Sequence, residues 1–335
     1  MVLALGKLPP EVLRKYLLGM TGAHSSDLVI PPSIGVDFGV IKHGKDYLVV
    51  SSDPVTGVRE KVGWYAVNVS ANDVATSGNR PRFMQSVILL PEDATDGTVA
   101  KISREMHATA AELGITIVGG HTELTPGLRR PIVVTTAFAF ARSFVTAADA
   151  REGDTIMLTK SAAVEGTAIF GSDASRFRGE VDQVMVKRAR GFFRKLSVVD
   201  EAVAAYESGK VHAMHDCTEG GVLGAVYEMS YASKLGFEVR EASIPIARET
   251  AYVCSRLGLD PLRLISSGTL LLAVERGAEE EVSEAVRSAG SRVTAVGRFR
   301  KGERVLAREG GRMEVIGEPP TDELWKLVDG RGMQE

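Results

Sequence analysis

Strand-like and helix-like runs are interleaved along this chain without a strict strand–helix repeat, an order that favours α+β over a doubly wound parallel sheet. Apolar, β-branched segments read as strands at Tyr47 to Ser52, Phe83 to Leu90 and Ile132 to Ala141, with a short buried one at Thr116 to Val118. Helical patterns cover Pro10 to Leu18, Lys61 to Ser77 and Thr95 to Leu113; the last two stop at Gly78 and Gly114. At 335 residues the chain exceeds one compact core. The stretch Arg142 to Asp154, rich in Ala, Asp and Arg, precedes a fresh strand at Thr155 to Thr159, so the expected domains are 1–148 and 149–335. The second domain reads as an α/β sandwich: helices near 184–195, 201–207, 222–232, 247–257, 279–288 and 322–327, with strands near 237–240, 269–275 and 292–299 and a hairpin near 304–316.

Composition narrows the function classes. The net charge is −3 and Lys and Arg are scattered, so a nucleic-acid partner is not expected. The first residues are apolar only as far as Gly6, too short for a signal peptide, and no run reaches the roughly 20 apolar residues of a membrane span. The expectation is a cytoplasmic protein with no membrane partner. Two cysteines, Cys217 and Cys254, make no disulfide framework, and no CxxC pair suggests zinc. P-loop, GxGxxG, HExxH and nucleophile-elbow motifs are all absent.

What remains is a set of acids and glycines at segment ends. Asp37 lies in Gly35-Val36-Asp37-Phe38, Asp53 follows the strand that ends Ser51-Ser52, and Asp73 lies on a helix whose polar face, with Asn68 and Asn72, reads as wet. Mg²⁺ is held by one or two carboxylates together with substrate phosphates, and three on separate segments can converge to do so. Each is also a natural turn former or a solvent-facing residue, so the case rests on the set. Val118-Gly119-Gly120-His121-Thr122-Glu123 reads as a strand ending in a glycine turn that cradles an anion, with His121 and Thr122 as donors. His215-Asp216-Cys217-Thr218-Glu219-Gly220-Gly221 opens a helix; Asp216 or Thr218 can simply cap it, or the helix N-terminus can receive an anion beside Asp216 as general base or metal ligand.

In order, the GVDFGV of 35–40, the SSD of 51–53, the VNVSANDVATSGNRP of 67–81, the VGGHTE of 118–123 and the MHDCTEGGVLGAVYEM of 214–229 resemble the AIR synthase-related superfamily over roughly residues 30–300. Among its branches the hydrogenase-maturation, HypE-like members are the nearest in motif. The resemblance implies two α/β domains, a homodimer whose N-terminal strands build a shared barrel, and phosphorylation of an oxygen by ATP. It implies Mg²⁺-ATP carboxylates at Asp37, Asp53 and Asp73, nucleotide contacts at Asn72, Gly119, Gly120 and Thr122, and a second-domain loop of Asp216, Gly220 and Gly221 facing the phosphates, with Asp216 and His121 in catalytic roles.

Several features depart from individual branches. No GTDGVGTK segment is present, as AIR synthase itself would have, and no N-terminal cysteine is available to receive selenium. Val36 replaces the first Asp of a common Gly-Asp-Asp, and His121 stands where thiamine-monophosphate kinases often carry Asp. The sequence ends Asp329-Gly330-Arg331-Gly332-Met333-Gln334-Glu335, so the terminal-cysteine chemistry of the hydrogenase-maturation branch is not expected to run in its usual way. The leading expectation is an ATP- and Mg²⁺-dependent enzyme acting on a small amide, carboxylate or phosphate-bearing substrate. Thiamine-monophosphate kinase and a non-catalytic nucleotide-binding scaffold are the alternatives.

Overall fold

The computed structural model describes residues 6–58, 60–173 and 181–328 and has two sheets, each with its own helices. After helix α1 (Pro10–Tyr16), the first contains β1 (Leu28–Ile30), β2 (Gly39–His43), β3 (Asp46–Val55), β4 (Phe83–Leu90), β5 (Thr116–Leu124) and β6 (Ile132–Ala141), in the order β1-β2-β3-β6-β4-β5. Helix α2 (Val62–Ala75) lies on this sheet, and α3 (Asp96–Leu113) is the crossover of the parallel β4–β5 pair. Thr95 caps α3 reciprocally with Thr98, and Gly114 ends it in the left-handed conformation.

The second sheet contains β7 (Thr155–Thr159), β8 (Val211–Asp216), β9 (Gly236–Arg240), β10 (Leu270–Val274), β11 (Val293–Arg300), β12 (Arg304–Ala307) and β13 (Met313–Val315). Its order is β13-β12-β9-β11-β7-β10-β8, antiparallel except for β9–β12. Its helices are α4 (Val164–Ser172), α5 (Gln183–Arg190), α6 (Val199–Glu207), α7 (Gly221–Ser233), α8 (Arg248–Leu257), α9 (Glu279–Ser288) and α10 (Leu324–Val328). Strand alternation divides the core between the faces. Ile156, Leu158, Ala213, Leu271 and Ala273 pack with Val222, Leu223 and Val226 of α7. Met157, Met214, Leu270, Leu272 and Val274 join Ala202 and Ala205 of α6 and Val282 and Val286 of α9. This second cluster continues without a break into α2 and the first sheet, so the two domains share an apolar contact.

Polar pins reinforce that contact. Trp64 Nε1 donates to Phe193 O at 3.2 Å, and the two rings meet edge to face. Tyr206 Oη donates to Ser143 Oγ at 2.8 Å.

The structure corrects four local expectations. Strand β3 runs through Asp53 to Val55, so Asp53 is a ladder residue opposite Thr135 and not a turn after the strand. The polar face of α2 is buried: Asn68 and Asn72 are at most 1% exposed, Asn72 being covered by Leu196 and Val198 of the second domain, while Ser70 turns to Thr135 of its own sheet. Strand β5 does not stop at Val118. It continues, with a register shift against β4 at Val118, through Gly119 and Gly120 to Leu124, and every position on it is exposed. Helix α4 falls where no helical pattern is read from the sequence. It is largely apolar and buried from Val164 to Gly171, which removes the amphipathic period that marks a surface helix.

Candidate functional site

Four segments bring carboxylates together where the domains meet. Asp37 comes from the turn between β1 and β2, Asp53 from β3, Asp73 from the buried face of α2 and Asp216 from the end of β8. The turn approaches the second domain closely because Gly35 adopts φ +77°; a Cβ there would lie 2.5 Å from Glu228 O. Ser51 Oγ links two of the acids, lying 2.7 Å from Asp73 Oδ2 and 2.8 Å from Asp37 O, with its one proton available to either. Thr76 Oγ1 lies 3.3 Å from Asp37 Oδ2.

The electrostatics are those of crowded carboxylates taken out of water. Burial raises Asp73 well above the ordinary carboxylate range, helped by the charge of Asp53, a hydrogen bond to it, and Asp216 and Asp37 behind it. Asp216 is raised for the same reasons, burial first and Asp37 next, with His215 opposing. Burial also lifts Asp37, to about 6, although His215 and Lys7 pull it back.

His215 is almost wholly buried. Its Nδ1 is 2.7 Å from Asp216 O and 3.3 Å from Asp37 Oδ2, and its Nε2 lies 3.2 Å from Glu228 Oε2, within ion-pair range but off the axis of a hydrogen bond. Burial works against charge on the ring, but Asp37, Glu228 and Asp216 outweigh it and raise His215 to about 9. Glu228 goes the other way: burial would raise it, yet Lys7 and His215 bring it down to about 2. The carboxylates around His215 therefore favour the charged form of the ring.

One feature does not balance within the protein. Asp216 is 1% exposed, and among the described residues neither of its carboxylate oxygens has a hydrogen-bond partner. A buried carboxylate left bare costs several kcal/mol, on the order of a lost charged hydrogen bond or more. A divalent cation would satisfy it, and one donor atom each from Asp37, His215 and Asp216 fall within 4.8 Å of one another. Asp53 and Asp73 stand beside that trio, and carboxylate oxygens of this kind suit Mg²⁺.

The other residues singled out from sequence lie elsewhere or are otherwise engaged. Asn72 is fully buried and spends its amide on the domain interface: Nδ2 donates to Leu196 O at 2.8 Å, and Oδ1 accepts from Val198 N at 2.9 Å. Gly220 N donates to Asp322 Oδ2 at 2.7 Å and Gly221 N to Thr218 O at 3.1 Å, so the amides expected to receive an anion at the start of α7 already have acceptors. Gly119, Gly120, His121 and Thr122 lie on the exposed edge strand, with β6 and β4 between them and Asp53. Three strand spacings amount to about 14 Å. His121 pairs there with Glu123 at 3.1 Å. Gly120 is needed for packing, since a Cβ would fall 1.8 Å from Ser86 O. Ser51, Thr76, His215, Glu228 and Lys7 join the site without having been assigned a role from sequence. The only signal in their favour is that Glu228 follows Gly221 by two helical turns, on the same face of α7. The C-terminal residues 329–335, on which the expectation about thiol chemistry rests, lie outside the described residues, as do 1–5 and 174–180. No helix among the described residues is long and apolar enough to cross a membrane.

Known proteins share this frame. Carbamoyl dehydratase HypE of Escherichia coli is 29% identical over 240 residues, covering 70% of this chain and 69% of that protein. Across the first three curated relatives the matched part is 64–69% of their own length. A crystal structure of hydrogenase maturation protein HypE in complex with ATP superposes with a TM-score of 0.72 at 21% identity, covering 94% of this chain and 93% of that one. AaThiL complexed with AMPPCP and TMP gives 0.73 at 18%, covering 93% and 95%. Residues 35–141 match the AIR synthase related protein N-terminal domain and residues 151–308 the C-terminal domain. The chain belongs to the AIR synthase-related family.

Proposed function

We propose that this protein is a HypE-like, Mg²⁺- and ATP-dependent enzyme that transfers a phosphoryl group to an oxygen of a small amide, carboxylate or phosphate-bearing substrate in the cleft between domains 1–148 and 149–335. The observation that carries the reading is the bare, buried carboxylate of Asp216 facing Asp37, Asp53 and Asp73. Crowded acids of this kind are costly in an apo protein and suited to a cation that accompanies polyphosphate. ATP use is supported further by the HypE–ATP structure, and hydrogenase maturation by the HypE relatives.

Mg²⁺ would be held by Asp53, Asp73 and Asp216, with Asp37 supporting, and when bound it neutralises charge on the phosphate oxygens. The protein's own groups prepare for this. Ser51 and Thr76 orient the carboxylates of Asp73 and Asp37, and the alternating chain Lys7–Glu228–His215–Asp37 fixes the charge pattern around them. Burial by the second domain lowers the local dielectric, which strengthens every interaction with the transferred group. A small-molecule acceptor would enter from the solvent side of the cleft.

We place the protein in the cytoplasm as a homodimer. The open edge of β5, with exposed Ile117, Val118 and Leu124, is the unpaired strand a second copy would cover. Such pairing would give Gly119, Gly120, His121 and Thr122 a place near a partner's cleft. The thiamine-monophosphate kinase alternative is supported by a likeness of fold and by the segment 62–81, which resembles both branches, and is disfavoured by His121. Asp53→Asn and Asp73→Asn should each abolish ATP hydrolysis while leaving the far-ultraviolet circular dichroism intact. Wild-type turnover in both variants sinks the assignment.

A further inference from the structure

The segment that precedes the first sheet lies against the second domain and ends at the carboxylate cleft. Gly6 packs against the indole of Trp325, where a Cβ would be 2.7 Å from Nε1. Arg14 Nη1 donates to Tyr231 Oη at 2.6 Å, and its guanidinium lies over the same ring. Between these two anchors Lys7 reaches the site. Its Nζ is 3.1 Å from Thr218 Oγ1, 3.2 and 3.3 Å from the two oxygens of Glu228, and 3.7 Å from Glu219 Oε2.

A triphosphate entering a cleft lined by Asp37, Asp53, Asp73, Asp216 and Glu228 meets like charge on most sides. Two cationic side chains act on Asp37 and Asp216, His215 and Lys7. They are not equivalent. His215 is 1% exposed and held at both ring nitrogens, whereas the side chain of Lys7 is 47% exposed on a flexible stem. The ammonium has three donors, with Thr218 and Glu228 within hydrogen-bond reach and Glu219 at 3.7 Å, and the half-exposed side chain can still turn toward an incoming anion.

We propose that Lys7 is a binding residue for the terminal phosphate of a nucleoside triphosphate, delivered to the cleft by the docked segment 6–16 and held ready there by Glu228 and Thr218. The proposal rests on the nucleotide reading above. The plain alternative is that Lys7 is only a counter-ion for Glu228 and Glu219, which would make it a structural residue with no preference among nucleotides.

The two roles separate by comparing ATP with ADP. Wild type, Lys7→Ala, Lys7→Arg and the control Lys15→Ala, whose ammonium lies over Tyr16 on the same segment, are titrated with MgATP and MgADP by calorimetry and assayed for phosphate release. A charged contact to the terminal phosphate predicts that Lys7→Ala loses about ten- to a hundred-fold in kcat/KM and in MgATP affinity. MgADP affinity should change far less. Lys7→Arg should recover part of the loss, and Lys15→Ala should match wild type. Equal losses for ATP and ADP, or a Lys7→Ala variant with wild-type kinetics, overturn the role of Lys7 alone. A wild-type protein that binds no MgATP overturns the nucleotide reading and this proposal with it.

Discussion

Replacing Asp216 with Asn should make the metal-free protein more stable and, at the same time, insensitive to Mg²⁺. The substitution keeps shape and removes one charge from a group whose donor atoms lie within 4.8 Å of those of Asp37 and His215. At that separation a pair of unit charges is worth about 3 kcal/mol in an effective dielectric of 20, so repulsion from Asp37 and attraction to His215 nearly cancel, and the gain comes from no longer burying a carboxylate. Proton uptake relieves part of this, since burial already raises Asp37 to about 6 and Asp216 well above the ordinary range. The gain left for the variant at pH 7.5 is about 1–3 kcal/mol, which corresponds to about 2–10 °C in unfolding midpoint. Wild type should recover when Mg²⁺ is added, by about 2.7 kcal/mol at a hundred times the dissociation constant, and the variant should not. Differential scanning fluorimetry in chelator and in Mg²⁺ reads both effects on one plate. A variant less stable than wild type in chelator, or one that keeps the full Mg²⁺ shift, refutes the view that Asp216 is a strained ligand waiting for a cation.

Two further perturbations test the surroundings of the site. Asn72→Ala orphans Leu196 O and Val198 N in a buried interface, at about 1–3 kcal/mol each, so its denaturation midpoint should fall while MgATP affinity holds; unchanged stability with lost affinity would return Asn72 to the nucleotide. Glu165 is 6% exposed with Oε2 unpartnered, and burial raises it to about 8, so its carboxyl contributes stability fully below about 4.5, and that contribution is lost as pH rises through 8. Glu165→Gln should therefore gain on wild type between pH 4.5 and 8, by up to about 1.4 kcal/mol per unit; parallel pH profiles in urea titrations would contradict the burial account.

The parts of this fold legible in the sequence are those governed by local period and punctuation. The helix ending at Gly114 and the hairpin near 304–316 follow from glycine placement and alternation. Acids at the ends of apolar runs marked Asp37, Asp53, Asp73 and Asp216 as candidates, because few other residues on those segments offer a hard ligand. Long-range context hid the rest. Asn72 reads as a wet helix residue until the second domain covers α2 and takes both ends of its amide. Gly119-Gly120 reads as a turn because glycine usually punctuates strands, but here Ser86 O lies so close that only glycine lets β5 continue. His215, Glu228 and Lys7 form their ion-pair chain across more than 200 residues of sequence, and no spacing rule joins them.

The measurement that bears most directly on the central claim is a crystal of this protein soaked with Mn²⁺ and a non-hydrolysable ATP analogue, read by anomalous scattering. The account predicts metal peaks among Asp37, Asp53, Asp73 and Asp216 with the triphosphate in the interdomain cleft. Metal and nucleotide bound elsewhere, with those four carboxylates bare at saturating ligand, would contradict it.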